Sequence, residues 1–121
     1  MNKTTNRQKE LLETEAVAVG TINKDGSPNV IAIGYARVVS PKEIVITDNF
    51  MRTTNENIKR DPRVCLAIWT KDWKEGYKFV GKATYQAEGK WTKFVKGMKE
   101  NKGYPAKGAI VVGVENIYKL G

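Results

Sequence analysis

Apolar positions along the chain fall into short runs set apart by polar and glycine-containing turns. Ala16 to Asn23 (AVAVGTIN), Pro28 to Val39 (PNVIAIGYARVV), Ile44 to Thr47, Arg63 to Thr70, Tyr77 to Ala87 and Gly108 to Tyr118 each read as a strand. Lys24-Asp25-Gly26 is a hairpin turn, because Asp-Gly between apolar runs supplies the backbone conformations such turns need. Ser40 to Glu43 is a second turn. Helical spacing occurs in three places. Residues 5 to 14 predict a short helix, and Arg52 to Arg60 predicts another, ended by Asp61-Pro62. From Lys90 to Asn101, Trp91, Phe94, Val95 and Met98 form one apolar stripe, and Gly103 and Pro105 stop it. Six strands joined mostly by short turns, with two or three short helices, predict a mainly β fold: a small antiparallel barrel. Residues 1–121 are expected to form a single domain.

Composition narrows the chemistry. The chain is 40% hydrophobic and 28% charged, ordinary for a globular protein. No apolar run approaches a membrane span, and MNKTTNRQKELLE lacks the apolar core of a signal peptide, so no membrane association and a cytoplasmic location are expected. One cysteine, Cys65, excludes an internal disulfide and reads as a small core hydrophobe. There is no histidine. That removes the commonest general base and metal ligand, argues against a Ser-His-Asp triad, a Cys-His pair or a zinc site, and leaves any redox or group-transfer chemistry to a cofactor. No side chain stands out as a catalytic acid or base, and no metal site is expected. The net charge of +8 attracts anionic ligands or acidic partners. A plain solubility charge accounts for it better than a nucleic-acid footprint does.

Four features could carry function, and each has a structural reading beside it. TDNFMRTTNENIKRDPRV, Thr47 to Val64, runs from a strand through a polar turn into a helix. Helix N-termini bind anions, and Arg52, Thr53 and Thr54 could serve a phosphate; taken locally, capping of the helix is the commoner use of such residues. In strand two, NVIAIG is apolar on both faces and ends in Gly34, which fits a surface lying against something flat or a central strand with a bulge. Trp69, Trp73 and Trp91 could stack on a planar ligand; core packing is the usual role, and Trp73, in a charged loop, fits it least. Lys90, Lys93, Lys96, Lys99 and Lys102 make a broad basic face, either solvated or a docking surface for an acidic redox protein.

Together, GTINKDGSPNV (Gly20 to Val30), ITDNFMRTTNENIKRDPRV (Ile46 to Val64) and YKFVGKATY (Tyr77 to Tyr85) resemble the FMN-binding split-barrel family related to pyridoxamine 5′-phosphate oxidase, and its small FMN-binding proteins most of all. The likeness covers roughly Glu15 to Tyr118. It implies a six-stranded antiparallel split β-barrel, a homodimer with FMN at the dimer interface, and a role in electron or hydride transfer. Carried over by position, the strand-two flavin contacts fall on Val30, Ile31, Ala32 and Ile33, through backbone groups. Further contacts fall on Thr47, Asp48 and Asn49, and the phosphate clamp on Arg52, Thr53 and Thr54, with Asn57 one turn on.

This sequence departs from the family pattern twice. Many relatives place a lysine or arginine where Thr53 stands, so Arg52, or Arg37 from strand two, is expected to supply that charge. The oxidase's C-terminal substrate segment, with tryptophan, arginine and histidine, has no counterpart in VENIYKLG, which argues against oxidation of pyridoxamine phosphate. The alternatives to FMN electron transfer are deazaflavin on the same fold and a non-catalytic module that stores flavin or contacts nucleic acid. Haem is disfavoured by the missing histidine.

Overall fold

The computed structural model describes residues 2–120. The chain runs α1 (Asn6–Thr14), β1 (Val17–Ile22), β2 (Pro28–Ile33), β3 (Arg37–Ser40), β4 (Glu43–Asp48), α2 (Thr53–Arg60), β5 (Arg63–Trp69), β6 (Gly76–Gln86), α3 (Lys90–Lys96), a 3-10 turn (Lys99–Asn101) and β7 (Gly108–Lys119). Seven antiparallel strands form one sheet in the order β2-β1-β5-β6-β7-β4-β3. No described helix is long and apolar enough to cross a membrane.

The strand count corrects the expected six. Pro28 to Val39 does not form one strand; it breaks at Gly34–Ala36. The two halves pair at opposite ends of the sheet, β2 with β1 and β3 with β4. The cause is tertiary. At the break the Ala36 N–H donates to the Leu12 carbonyl of α1 at 2.9 Å, and both residues are buried. The helix therefore captures a backbone group that a continuous strand would have given to a neighbour.

That connection curls the sheet. Four residue steps separate Ile33 from Arg37, a reach of at most about 14 Å. Six gaps in a flat sheet of this order would hold those edges roughly 29 Å apart. The sheet must roll until its edge strands approach each other, and because they are not paired, it remains a split barrel. In the pairing of β6 with β7 the register shifts between Val80 and Gly81, a bulge that increases local twist. A methyl group on Gly81 would collide with the Gly113 carbonyl, so only glycine lets the two strands approach there.

The barrel interior is filled by Val17 and Val19 of β1, Ile44 and Ile46 of β4, Leu66 and Ile68 of β5, Phe79 of β6 and Ile110 and Val112 of β7, with Leu11 and Leu12 of α1 closing one side. β1 and β5 alternate inside and outside as a strand with one buried face must, whereas β4 is buried on both faces, with Ile44 and Ile46 in the barrel and Val45 in a second core. α1 starts with a complete capping box between Thr5 and Gln8. α3 is shorter than the expected Lys90–Asn101. The Gly97 N–H is shared between the Lys93 and Phe94 carbonyls, and Met98 turns to an extended conformation (φ −72°, ψ 130°). This lets Met98 join a second, smaller core with Val45, Val95, Ala106 and Ala109. Phe94 of the expected stripe is left 39% exposed.

Candidate functional site

A cleft of about 600 Å³ opens between β2 and the stretch that joins β4 to α2. Successive residues Ile31, Ala32, Ile33, Gly34 and Tyr35 all line it. Side chains alternate across a strand, so consecutive lining residues mean that β2 presents its edge to the cleft rather than a face. That edge is unpaired, and its backbone N–H and C=O groups are free for a ligand.

The opposite wall is the start of α2. Arg52 precedes the helix and makes no capping hydrogen bond through its side chain. The first helical bond runs from the Glu56 N–H to the Arg52 carbonyl at 3.3 Å. The N–H groups of Thr53, Thr54 and Asn55 lie before it and have no partner within the helix. The helix thus points a partial positive charge and unused donors at the cleft, beside the exposed Arg52. Thr54 is buried, and its hydroxyl lies 3.5 Å from the Asn29 amide, which also reaches Thr21.

Two buried polar groups hold this wall in place. Asp48, the last residue of β4, has no solvent exposure. Its carboxylate accepts from the Met51 N–H at 2.8 Å, the Asn55 amide at 3.1 Å and the Tyr85 hydroxyl at 2.6 Å. The Lys107 ammonium stands 3.8 Å away. Burial, and then the Asp48 carboxylate, push the Tyr85 phenol up to about 12. A methyl group on Gly108 would strike the Tyr85 hydroxyl, so the pair has no room to shift. Asn57 ties α2 to β1, donating to Thr21 at 3.1 Å and to Asn23 at 2.9 Å.

On the mouth side, Asn49 and Asn101 exchange two hydrogen bonds, at 2.7 and 3.1 Å. Asn49 also accepts from the Ala106 N–H at 2.9 Å, and the Tyr35 hydroxyl donates to Asn101 at 3.2 Å. Phe50, 71% exposed, meets Tyr104 edge to face.

Of the residues expected from sequence, Ile31, Ala32, Ile33, Thr47, Asn49, Arg52, Thr53 and Thr54 line the cleft. Three lie elsewhere. Val30 points outward and is 69% exposed, Asp48 sits beneath the loop, and Asn57 lies behind the helix start. Arg37 is not in the lining; Glu13, at 3.7 Å, and Glu100 engage it, which leaves Arg52 as the charge at the start of α2. Asn29, Gly34, Tyr35, Phe50 and Met51 also line the cleft. Asn29 and Gly34 bracket the NVIAIG run, a signal present in the sequence. Nothing in the pattern marks Tyr35.

The outer face of β2-β1-β5 carries small side chains at its centre, with Lys78 of β6 beside Ala67 at one margin. Register aligns Val30, Gly20, Cys65 and Val80 in one row, and Ala32, Ala18 and Ala67 in the next. A largely apolar groove of about 500 Å³ runs along it. Cys65 faces this groove half-buried rather than the core, and burial raises its thiol pKa. Among the described residues no group of His, Cys, Asp and Glu could hold a metal ion.

Comparison with known proteins places these features. Residues 4–121 match the family model for pyridoxamine 5′-phosphate oxidase. An uncharacterized protein of Methanocaldococcus jannaschii is 35% identical over 98% of this chain and 81% of its own length. Among solved structures, HupZ of Group A Streptococcus is 27% identical, with a TM-score of 0.88 over 96% of this chain and 93% of that one. The fold alone is shared with an FMN-binding protein of Syntrophomonas wolfei (15% identity, TM-score 0.77, 93% of this chain and 83% of that one) and with an F420 reductase (20%, 0.71, 91% and 94%).

Proposed function

The chain belongs to the pyridoxamine 5′-phosphate oxidase family, and from that premise we propose that it is an FMN-binding flavoprotein serving electron or hydride transfer. The observation that carries this reading is the uncapped start of α2, which faces the unpaired edge of β2 across one cleft. The cleft is of a size that holds a drug-sized ligand. Its two walls also match the two ends of FMN. The β2 edge offers backbone donors and acceptors over an apolar surface, suited to the rim of a planar ring. Arg52, the N–H groups at the start of α2, and the hydroxyls of Thr53 and Thr54 suit a phosphate. Bound there, the flavin would supply reversible two-electron chemistry. The protein's part is to orient the ring, with Thr47 and Asn49 beside it, and to keep a positive field at the phosphate end.

The family relationship also motivates a homodimer, and the outer face, with small residues at its centre and Lys78 at its margin, is the candidate surface for a second copy. That face shares β2 with the cleft: Val30 lies in its rows, Ala32 both lies in its rows and lines the cleft, and Ile31 and Ile33 line the cleft. A partner on it would stand next to the ligand.

Purified protein should be yellow or take up FMN in titration, with the two visible absorption bands of a bound flavin. Arg52→Ala with Thr54→Ala removes charge-assisted contacts each worth about 1.5–3 kcal/mol, so FMN should bind at least roughly tenfold more weakly with the fold intact. Unchanged affinity would refute the phosphate assignment. Parallel titration with coenzyme F420 separates the two ring systems, because the F420 reductase shares this fold. FMN is expected to bind the more tightly.

A further inference from the structure

Residues 88–107 carry six lysines (Lys90, Lys93, Lys96, Lys99, Lys102 and Lys107) against two glutamates, Glu88 and Glu100. Six less two leaves four of the chain's eight net positive charges in about a sixth of its length. All six lysines are exposed, and Arg37 already engages Glu100. Among the described residues, none of the first five lysines is ion-paired, and Lys107 leans back to the Met51 carbonyl at the cleft rim.

Two features separate this segment from an ordinary solvated face. The first is its attachment. Asn101, only 2% exposed, bonds Tyr35 and Asn49, and both of those line the cleft. The basic segment is therefore pinned to the cleft rim. The second is its aromatic content. Phe94, Tyr104 and Phe50 stand exposed by 39, 56 and 71% around the lysines. Exposed aromatics beside unpaired charges of one sign suit a protein interface steered by complementary charge. A single-stranded nucleic acid instead needs free ring faces along a groove. Here the rings are engaged: Trp91 meets Phe94 edge to face at 5.6 Å, Lys90 covers Trp91 at 4.5 Å, and Phe50 meets Tyr104 at 6.2 Å.

We propose that residues 88–107, with Phe50, form a docking surface for an acidic electron-transfer protein at the mouth of the cleft. The proposal rests on the flavoprotein reading and names the partner of that same site.

The test measures binding of an acidic bacterial ferredoxin to the intact protein by titration calorimetry, with and without added FMN. Between about 20 and about 200 mM salt the screening length shortens severalfold, and affinity should fall by roughly tenfold or more. Lys93→Glu/Lys96→Glu/Lys99→Glu should abolish binding at low salt, and the matching triple Gln variant should weaken it about tenfold. Both should keep the wild-type melting temperature and FMN uptake. The proposal is overturned if the Glu variant binds the ferredoxin as wild type does, if wild type fails to bind it at low salt, or if a single-stranded RNA oligonucleotide binds more tightly. A failure of the flavin reading shows separately, as absent FMN uptake.

Discussion

A carboxylate sealed from solvent is costly unless its lone pairs are used, and Asp48 uses them to hold the turn that presents Arg52, Thr53 and Thr54. Tyr85→Phe removes one of the three donors without opening a cavity. It should destabilise the protein by about 1–3 kcal/mol, read in denaturant melts, and loosen FMN because the turn loses a brace. The Tyr85 phenol, raised to about 12 in the fold from an ordinary 10, also sets a pH window. Its contribution is intact below pH 10 and is lost as pH climbs through about 12, because the unfolded phenol ionises first. Alkaline absorbance titration should show a step near pH 12, and that step should be missing in Tyr85→Phe. The polar stretch Thr47 to Asn57 was legible as a turn into a helix and, through the family likeness, as a candidate ligand site. Which of its members line the cleft was not. Asp48 and Asn57 are the same kinds of residue as their neighbours, and only their partners Tyr85 and Thr21, 37 and 36 residues away in sequence, assign them to bracing.

The starts of α1 and α2 invite opposite predictions. α1 closes its own N-terminus with Thr5 and Gln8, so Thr5→Ala should cost about 1 kcal/mol with no effect on ligand binding. α2 leaves its start open and places a cation there, against its own dipole. Arg52→Asp should therefore stabilise the ligand-free protein by up to about 1 kcal/mol, while FMN uptake is lost; thermal melts with and without FMN read both effects. Sequence showed both helices to within a residue, because capping residues and the Asp61-Pro62 stop are local signals. It did not show the division of β2 from β3. The apolar pattern runs through Gly34–Ala36 unbroken, and the Ala36 bond to Leu12 that breaks the strand depends on a distant helix. α3 failed for a related reason: the stripe from Trp91 to Met98 is real, but Met98 reaches its core from an extended conformation.

For the molecule as a whole, the small-residue face tests assembly. Ala67→Arg sets a second long charged side chain there, between Ala18 and Lys78; if the proposed dimer forms through this face, the variant should sediment as a monomer where the wild type sediments as a dimer. Because β2 belongs to both face and cleft, FMN affinity should fall with it. The barrel class was legible from alternation and turn spacing, since each strand carries its own pattern. Its closure was not, since that depends on which edges the three-residue link brings together. The same link leaves a seam, two strand edges facing each other without a rung between them. The cleft lies beside that seam, between the β2 edge and the start of α2, and exists only in the folded chain, so a ligand held there links the folding equilibrium to its own supply. Under the proposed function, a free FMN concentration one hundred times its dissociation constant would add about 2.7 kcal/mol to the native state. In a cell, the flavin pool would then govern how much of this chain escapes unfolding and proteolysis.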